Sequence, residues 1–222
     1  TDTTLLKVEN FVEQVEALKT SLGLKEFYLH GHSWGTALAL EYYLKYPKGI
    51  KAIIFNSPYF STSLWKADAD TLITTLPDSI QLAIKTGEKN HDYGSPAYKN
   101  ANEVFYKNFG VRKTKLTSEL DTSTAKGNEF IYNYMWGPTE FTAAGTLINY
   151  NRVQSLKTIK VPTLFITGEF DEARPVTVKY FQSLVPNSKF VMIDGAGHGT
   201  MHDNKGQNIS AVKTFLDSLE LK

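Results

Sequence analysis

The pentapeptide Gly31-His32-Ser33-Trp34-Gly35 constrains this chain more than any other stretch. It follows residues 26–30, which read as a short strand, and precedes a helical run from 36 to about 46 that Pro47 stops. A serine in G-x-S-x-G between a strand and a helix marks a nucleophile elbow, a tight turn that lifts the hydroxyl above the end of a sheet. The neighbours two residues away on each side must then be small, and glycines stand at 31 and 35. The turn also sets Ser33 at a helix N-terminus, where free N–H groups favour developing negative charge.

The flanking pattern extends this into an alternating α/β layout. Leu5, Val8, Val12, Val15, Leu18 and Leu22 recur at three- and four-residue steps, so residues 4–22 read as an amphipathic helix ended by Gly23. Residues 52–56, 161–167 and 189–193 read as further strands, residues 175–184 as a helix with Pro175 in its first turn, and residues 204–221 as a closing helix. Such alternation predicts a mostly parallel sheet. Between residues 59 and 150 the chain turns rich in Thr, Lys, Asn and Tyr, with helical stretches near 68–85 and 97–109. The expected division is therefore an α/β core from residues 1–58 and 151–222, with residues 59–150 as an inserted helical cap; a second independent domain is the alternative.

A serine hydroxyl needs a base and an orienting acid to act as a nucleophile, and this elbow takes them in the chain order Ser, Asp or Glu, His. Of five histidines, His30 and His32 flank the elbow too closely to reach back to Ser33, and His91 precedes any acid of the later strands. His198, in Gly195-Ala196-Gly197-His198-Gly199 straight after a strand, is favoured over His202 at the start of the last helix. The acid comes from Gly168-Glu169-Phe170-Asp171-Glu172, at the end of the strand before. Right-handed crossovers bring all three loops to one sheet edge, where open α/β sheets bind ligands. Asp171 is the candidate partner of the His198 Nδ1–H, with Glu169 the runner-up.

Composition narrows the remaining classes. The 222 residues carry 24 basic and 23 acidic groups, a net charge of +1, which leaves no footprint for nucleic acid or an anionic membrane. There is no cysteine, hence no disulfide framework or thiolate metal site. His198 and His202 lie four apart beside Asp203, but a glycine loop and the lack of an H-E-x-x-H glutamate argue against zinc. Acidic residues at 2, 9, 13 and 16 exclude a signal-peptide core, and no run of 18 apolar residues exists, so a cytoplasmic location is expected. No metal or organic cofactor is implied.

Taken together, these stretches resemble the proline iminopeptidase family, peptidase family S33 of the α/β-hydrolase superfamily. The resemblance rests on the elbow, on Trp136-Gly137-Pro138-Thr139-Glu140-Phe141 in the cap, on Gly168-Glu169-Phe170-Asp171-Glu172 and on Gly195-Ala196-Gly197-His198. It implies an α/β-hydrolase fold and Ser33, Asp171 and His198 as a triad, with Trp34 N–H as an oxyanion donor. It further implies that Glu140 and Glu172 bind a substrate's free amino terminus. Glu103 is a third candidate for that role, and Trp136, Phe141 and Trp34 are candidates to line an apolar pocket. The implied activity is release of N-terminal proline, or another small apolar residue, from short peptides through an acyl-enzyme. An amino-acid amidase, esterase or lactonase on the same triad is the alternative substrate class.

One departure accompanies the likeness. Such enzymes resemble each other in an upstream H-G-G-P-G loop that supplies a second oxyanion N–H, and no such sequence occurs here. Four strands are readable where the family uses about eight. The expectation is that N-terminal strands are missing, removed or supplied by a separate chain. A further alternative is then an incomplete fragment that needs that part for activity.

Overall fold

The computed structural model describes residues 2–113, 122–123 and 125–220. The expectations that residue 1 begins the core, that residues 114–121 and 124 belong to the cap and that the last helix reaches Leu221 lie outside them. The elements run in the order α1 (Val8–Ser21), β1 (Phe27–His32), α2 (Trp34–Lys45), β2 (Ile50–Asn56), α3 (Thr62–Ile73), α4 (Asp78–Asn90), α5 (Pro96–Phe105), α6 (Glu129–Met135), β3 (Thr163–Gly168), α7 (Pro175–Ser183), β4 (Ser188–Ile193), α8 (Thr200–Asp203) and α9 (Lys205–Glu220). A π-helical turn, Tyr106–Gly110, prolongs α5.

The four strands form one parallel sheet in the order β1-β2-β3-β4. Register aligns their C-terminal ends: His32 lies opposite Asn56, Asn56 opposite Ile166, and Gly168 opposite Ile193. The loops carrying Ser33, Ser57, Asp171 and His198 therefore leave the sheet at one edge. Among the described residues β1 pairs only with β2.

Strand alternation feeds two cores. Ile53, Phe55 and Phe165 face the cluster that holds Val12 of α1, Leu40 and Tyr42 of α2, and Val178 and Phe181 of α7. Ala52, Ile54, Leu164 and Ile166 face the opposite side, where Phe215 of α9 packs. Both faces of β2 and β3 are thus covered, as a parallel sheet requires.

The segment between β2 and β3 is helical. The stretch expected as one helix near 68–85 is two, α3 and α4, broken ahead of Pro77, which fixes an extended backbone before α4. Ser61 caps α3 and Ser95 caps α5, each through its side-chain oxygen. Although its apolar periodicity is weak by sequence, the segment has a core of its own: Ile80, Ile84, Tyr98, Phe105, Phe109 and Phe141. Among the described residues no helix is long and apolar enough to cross a membrane.

Candidate active site

Ser33 sits at the break between β1 and α2 with φ 53° and ψ −128°, a conformation costly for a residue with a side chain. The turn is pinned on three sides. Ser33 N–H donates to the Asn56 carbonyl at 3.0 Å; Thr36 N–H and Oγ1–H both donate to the Ser33 carbonyl, at 2.9 and 2.7 Å. Thr36 Oγ1 also accepts from Tyr59 N–H at 2.9 Å, tying the elbow to the chain beyond β2.

The two glycines of the elbow are not equivalent. A Cβ on Gly31 would run into the Gly35 carbonyl, so position 31 has no room for a side chain. A Cβ on Gly35 would meet nothing within 4 Å. The expectation that both must be small is thus corrected for Gly35: its backbone, not its own missing side chain, is what crowds Gly31.

At the end of β3, Asp171 is buried and its carboxylate is saturated. Oδ1 accepts from His198 Nδ1–H at 2.9 Å and from Ala173 N–H at 2.8 Å; Oδ2 accepts from Gly168 N–H at 3.1 Å and Thr167 Oγ1–H at 3.2 Å. Burial alone would raise its pKa, but the imidazole charge and these donors outweigh it and hold the carboxyl below its ordinary value. The neighbouring Glu169 points elsewhere, its Oε2 accepting from Gly195 N–H at 2.9 Å. Of the two acids in this loop, Asp171 is the one that meets His198.

The Asp171 bond fixes His198 as the tautomer with its proton on Nδ1, leaving Nε2 buried and without a hydrogen-bond partner. Burial pulls the imidazole pKa down, but the Asp171 and then the Glu172 carboxylates push it up, to about 9. The loop is also held at its backbone: the His198 carbonyl accepts from His32 Nε2–H at 2.9 Å and from Ser57 Oγ–H at 3.0 Å. Burial, and then the His198 imidazole, depress the His32 pKa to about 4, so His32 stays a neutral donor. Sequence reasoning set His32 aside as a base and missed this second use; its position beside Ser33 was the only signal.

Glu172 is the opposite of its neighbour. Its carboxyl is 2% exposed, neither oxygen has a hydrogen-bond partner, and Oε1 lies 3.8 Å from His198 Nδ1. Burial, and then the negative charge of Glu140, raise its pKa well above the carboxylate range. Glu140 stands half-buried on the wall of a pocket of about 340 Å³ that opens over Ser33. Trp34, Trp65 and Trp136 line that pocket, with Tyr59 and Tyr132. The Trp65 ring meets His198 edge-on at 5.4 Å and Trp136 meets Tyr59 at 5.3 Å. Although 38% of Tyr132 is exposed, burial of its hydroxyl, and then the Glu140 carboxylate, hold that hydroxyl far above its ordinary pKa.

Phe141 does not line this pocket, which corrects the expectation for it. Its ring is buried in the helical segment's own core, 4.9 Å from Phe105 and 5.8 Å from Tyr98. The backbone after Glu140 turns the aromatic side chain toward α5, where more apolar surface awaits it. Glu103 is exposed on α5 and takes no part in the pocket lining. His202 lies in α8, outside the Asp171–His198 pair.

Comparison with known proteins agrees with this fold. A sequence profile of the alpha/beta hydrolase fold matches residues 3–205. The chain is 38% identical over 219 residues to a proline iminopeptidase of Heyndrickxia coagulans, covering 98% of this chain and 76% of that protein. It is 33% identical to a proline iminopeptidase of Lactobacillus helveticus, covering 94% of this chain and 71% of the relative. Among solved structures, proline iminopeptidase from Mycobacterium smegmatis superposes with a TM-score of 0.91 at 27% identity, covering 100% of this chain and 75% of that one. VinJ superposes with a TM-score of 0.92 at 25% identity, covering 99% and 75%. With an elbow, an acid–imidazole pair at one sheet edge and relatives of this closeness, the chain belongs to the proline iminopeptidases within the alpha/beta hydrolase fold family.

Proposed function

We propose that this protein is a serine aminopeptidase that releases N-terminal proline, or another small apolar residue, from short peptides through an acyl-enzyme. The observation that carries this reading is the buried, unpartnered carboxyl of Glu172 beside His198, with Glu140 on the wall of the pocket over Ser33 and near enough for its charge to raise the Glu172 pKa. An N-terminal ammonium is the group that such a pair recognises, and it lies one residue from the scissile bond.

In the proposed reaction Ser33 Oγ attacks the carbonyl carbon while His198 Nε2 takes the hydroxyl proton. Asp171 stabilises the imidazolium through Nδ1–H. Trp34 N–H, in the first turn of α2 where helical amides have no intrahelical acceptor, donates to the developing oxyanion. His198 returns the proton to the leaving nitrogen, which breaks the amide bond and leaves an ester on Ser33. Water, deprotonated by the same imidazole, hydrolyses that ester and releases the amino acid.

Amine binding also tunes the base. His198 is held near pKa 9 partly by the Glu172 and Glu140 carboxylates. An ammonium bound beside them adds a positive charge near His198 that offsets the Glu140 charge and favours the neutral imidazole a general base requires. Glu172 gives up its raised pKa at the same step, because the cation favours its ionised form.

Paired assays of a proline arylamide and its N-acetylated form test the reading. The free amine is expected to be cleaved and the acetylated substrate to be refused. Equal rates would replace the aminopeptidase with an esterase or lactonase on the same triad. Ser33→Ala is expected to show no turnover above background on either.

A further inference from the structure

The loop that carries His198 is fastened to the middle of the helical segment, and one side chain closes the fastening. His198 N–H donates to the Phe109 carbonyl at 2.8 Å and Gly199 N–H to the Gly110 carbonyl at 2.9 Å, both carbonyls belonging to the π-helical turn. The two backbones approach so closely that a Cβ on Gly197 would contact the Phe109 and Gly110 carbonyls. Asp203 of α8 spans this seam. Its Oδ2 accepts from Gly197 N–H at 2.9 Å, one residue before the imidazole. Its Oδ1 accepts from Arg112 N–H at 2.9 Å and Lys113 N–H at 2.8 Å, directly after the turn. The Arg112 guanidinium continues the fastening to the acid loop: it lies 3.9 Å over the Phe170 ring and donates to the Asn108 carbonyl at 2.6 Å. Single π-turns inside helices concentrate at functional sites. Here the turn supplies two carbonyls that hold the His198 loop.

We infer that Asp203 is a positioning residue for the imidazole: its carboxylate locks Gly197, and through it His198, to the segment emerging from the π-turn, so that Nε2 is presented to Ser33. Asp203 has no contact with Ser33 or with Asp171 among the bonds that define the site, so it acts through the loop backbone. The inference rests on His198 being the base. It goes beyond that reading in naming what sets the base's position, and it makes the placement of the helical segment a determinant of turnover.

The test compares Asp203→Ala and Asp203→Asn in steady-state cleavage of a proline arylamide across pH, with thermal melting alongside. A displacement on the order of 1 Å at a reacting group costs about 10²-fold. Asp203→Ala is expected to lower kcat by about that factor while KM changes by less than about twofold. Asn keeps one acceptor oxygen, and its loss of kcat is expected to be smaller. The acidic limb of kcat/KM should also move to lower pH in both variants. His198 faces Asp171 and Glu172 from the β3–α7 loop, Glu140 from the helical segment and His32 from β1, and a loosened Asp171 bond removes the leading upward influence on the imidazole. A merely structural role would scale activity with the folded fraction and leave the limb in place. That result, or an unchanged kcat in Asp203→Ala, overturns the inference. If the alanine variant does not fold, the same two readouts on Asp203→Asn decide it. A separate His198→Ala variant that retained activity would instead overturn the triad, which keeps the two failures distinguishable.

Discussion

Asp171 and Glu172 are consecutive, equally inaccessible to solvent and opposite in condition. Asp171 accepts four hydrogen bonds from Thr167, Gly168, Ala173 and His198, and its pKa falls. Glu172 accepts none, and its pKa rises. Burial penalises both charges alike, so the difference lies entirely in what surrounds the oxygens. A carboxylate with every lone pair occupied is a fixed anion that orients its neighbour. One without such donors is driven toward its neutral, protonated form. The β3–α7 loop thus sets side by side an acid bound to the imidazole and an acid without a hydrogen-bond partner, the one to which the proposed function assigns the substrate amine.

The largest expected effect breaks the Asp171 half. Asp171→Asn keeps the shape and removes the charge; turnover should fall by about 10⁴-fold, because the wrong imidazole tautomer is favoured. Stopped assays on a proline arylamide would show it, and a loss under tenfold would mean that Glu172 substitutes as the orienting acid. The next breaks the Glu172 half. Glu172→Gln should cost about 2–5 kcal/mol in kcat/KM on free-amine substrates, the range for leaving a buried charge unpaired. Any residual activity on a blocked ester should be untouched. Glu140→Gln is expected to cost less on the same substrates, since Glu140 stands half-buried on the pocket wall and a solvated carboxylate contributes less.

The smallest effect is on stability, and it should differ in sign between the neighbours. The folded pKa of Asp171 is depressed, so its contribution is present above the ordinary carboxylate range and is lost as pH falls through the folded value. The folded pKa of Glu172 is raised, so the folded state holds a proton that the unfolded state releases. Stability is then lost as pH rises from the ordinary carboxylate value toward the raised one. Melting curves should therefore show Glu172→Gln gaining on the parent as pH rises across that window, while Asp171→Asn loses its deficit at low pH. Parallel curves for both variants would contradict the contrast.

The parts of this site legible in the sequence are those set by strand ends. Ser33, Asp171 and His198 each follow a predicted strand of a parallel sheet, so topology alone brings their loops to one edge. What escaped depends on long-range packing. Pro77, which cuts the helical pattern into α3 and α4, is the exception, a local signal that the reading of one helix near 68–85 passed over. Phe141 sits next to a pocket residue in sequence, yet α5 captures its ring. His32 and Asp203 act through backbone atoms of the His198 loop, at separations of 166 and 6 residues, and no local pattern encodes a side chain's choice of a distant carbonyl or amide. The π-turn likewise has no propensity signature that separates Tyr106–Gly110 from ordinary helix.

The sequence holds three tryptophans, and all three line the pocket over Ser33. No indole lies elsewhere, so tryptophan emission, excited at wavelengths where the twelve tyrosines do not absorb, reports from this pocket. Trp65, edge-on to His198, stands where a protonated imidazole quenches it, and Trp136 and Trp34 stand where an apolar side chain would displace water. Occupancy of the pocket and charge on the imidazole can therefore be followed by unlabelled fluorescence, without a chromogenic substrate and without turnover.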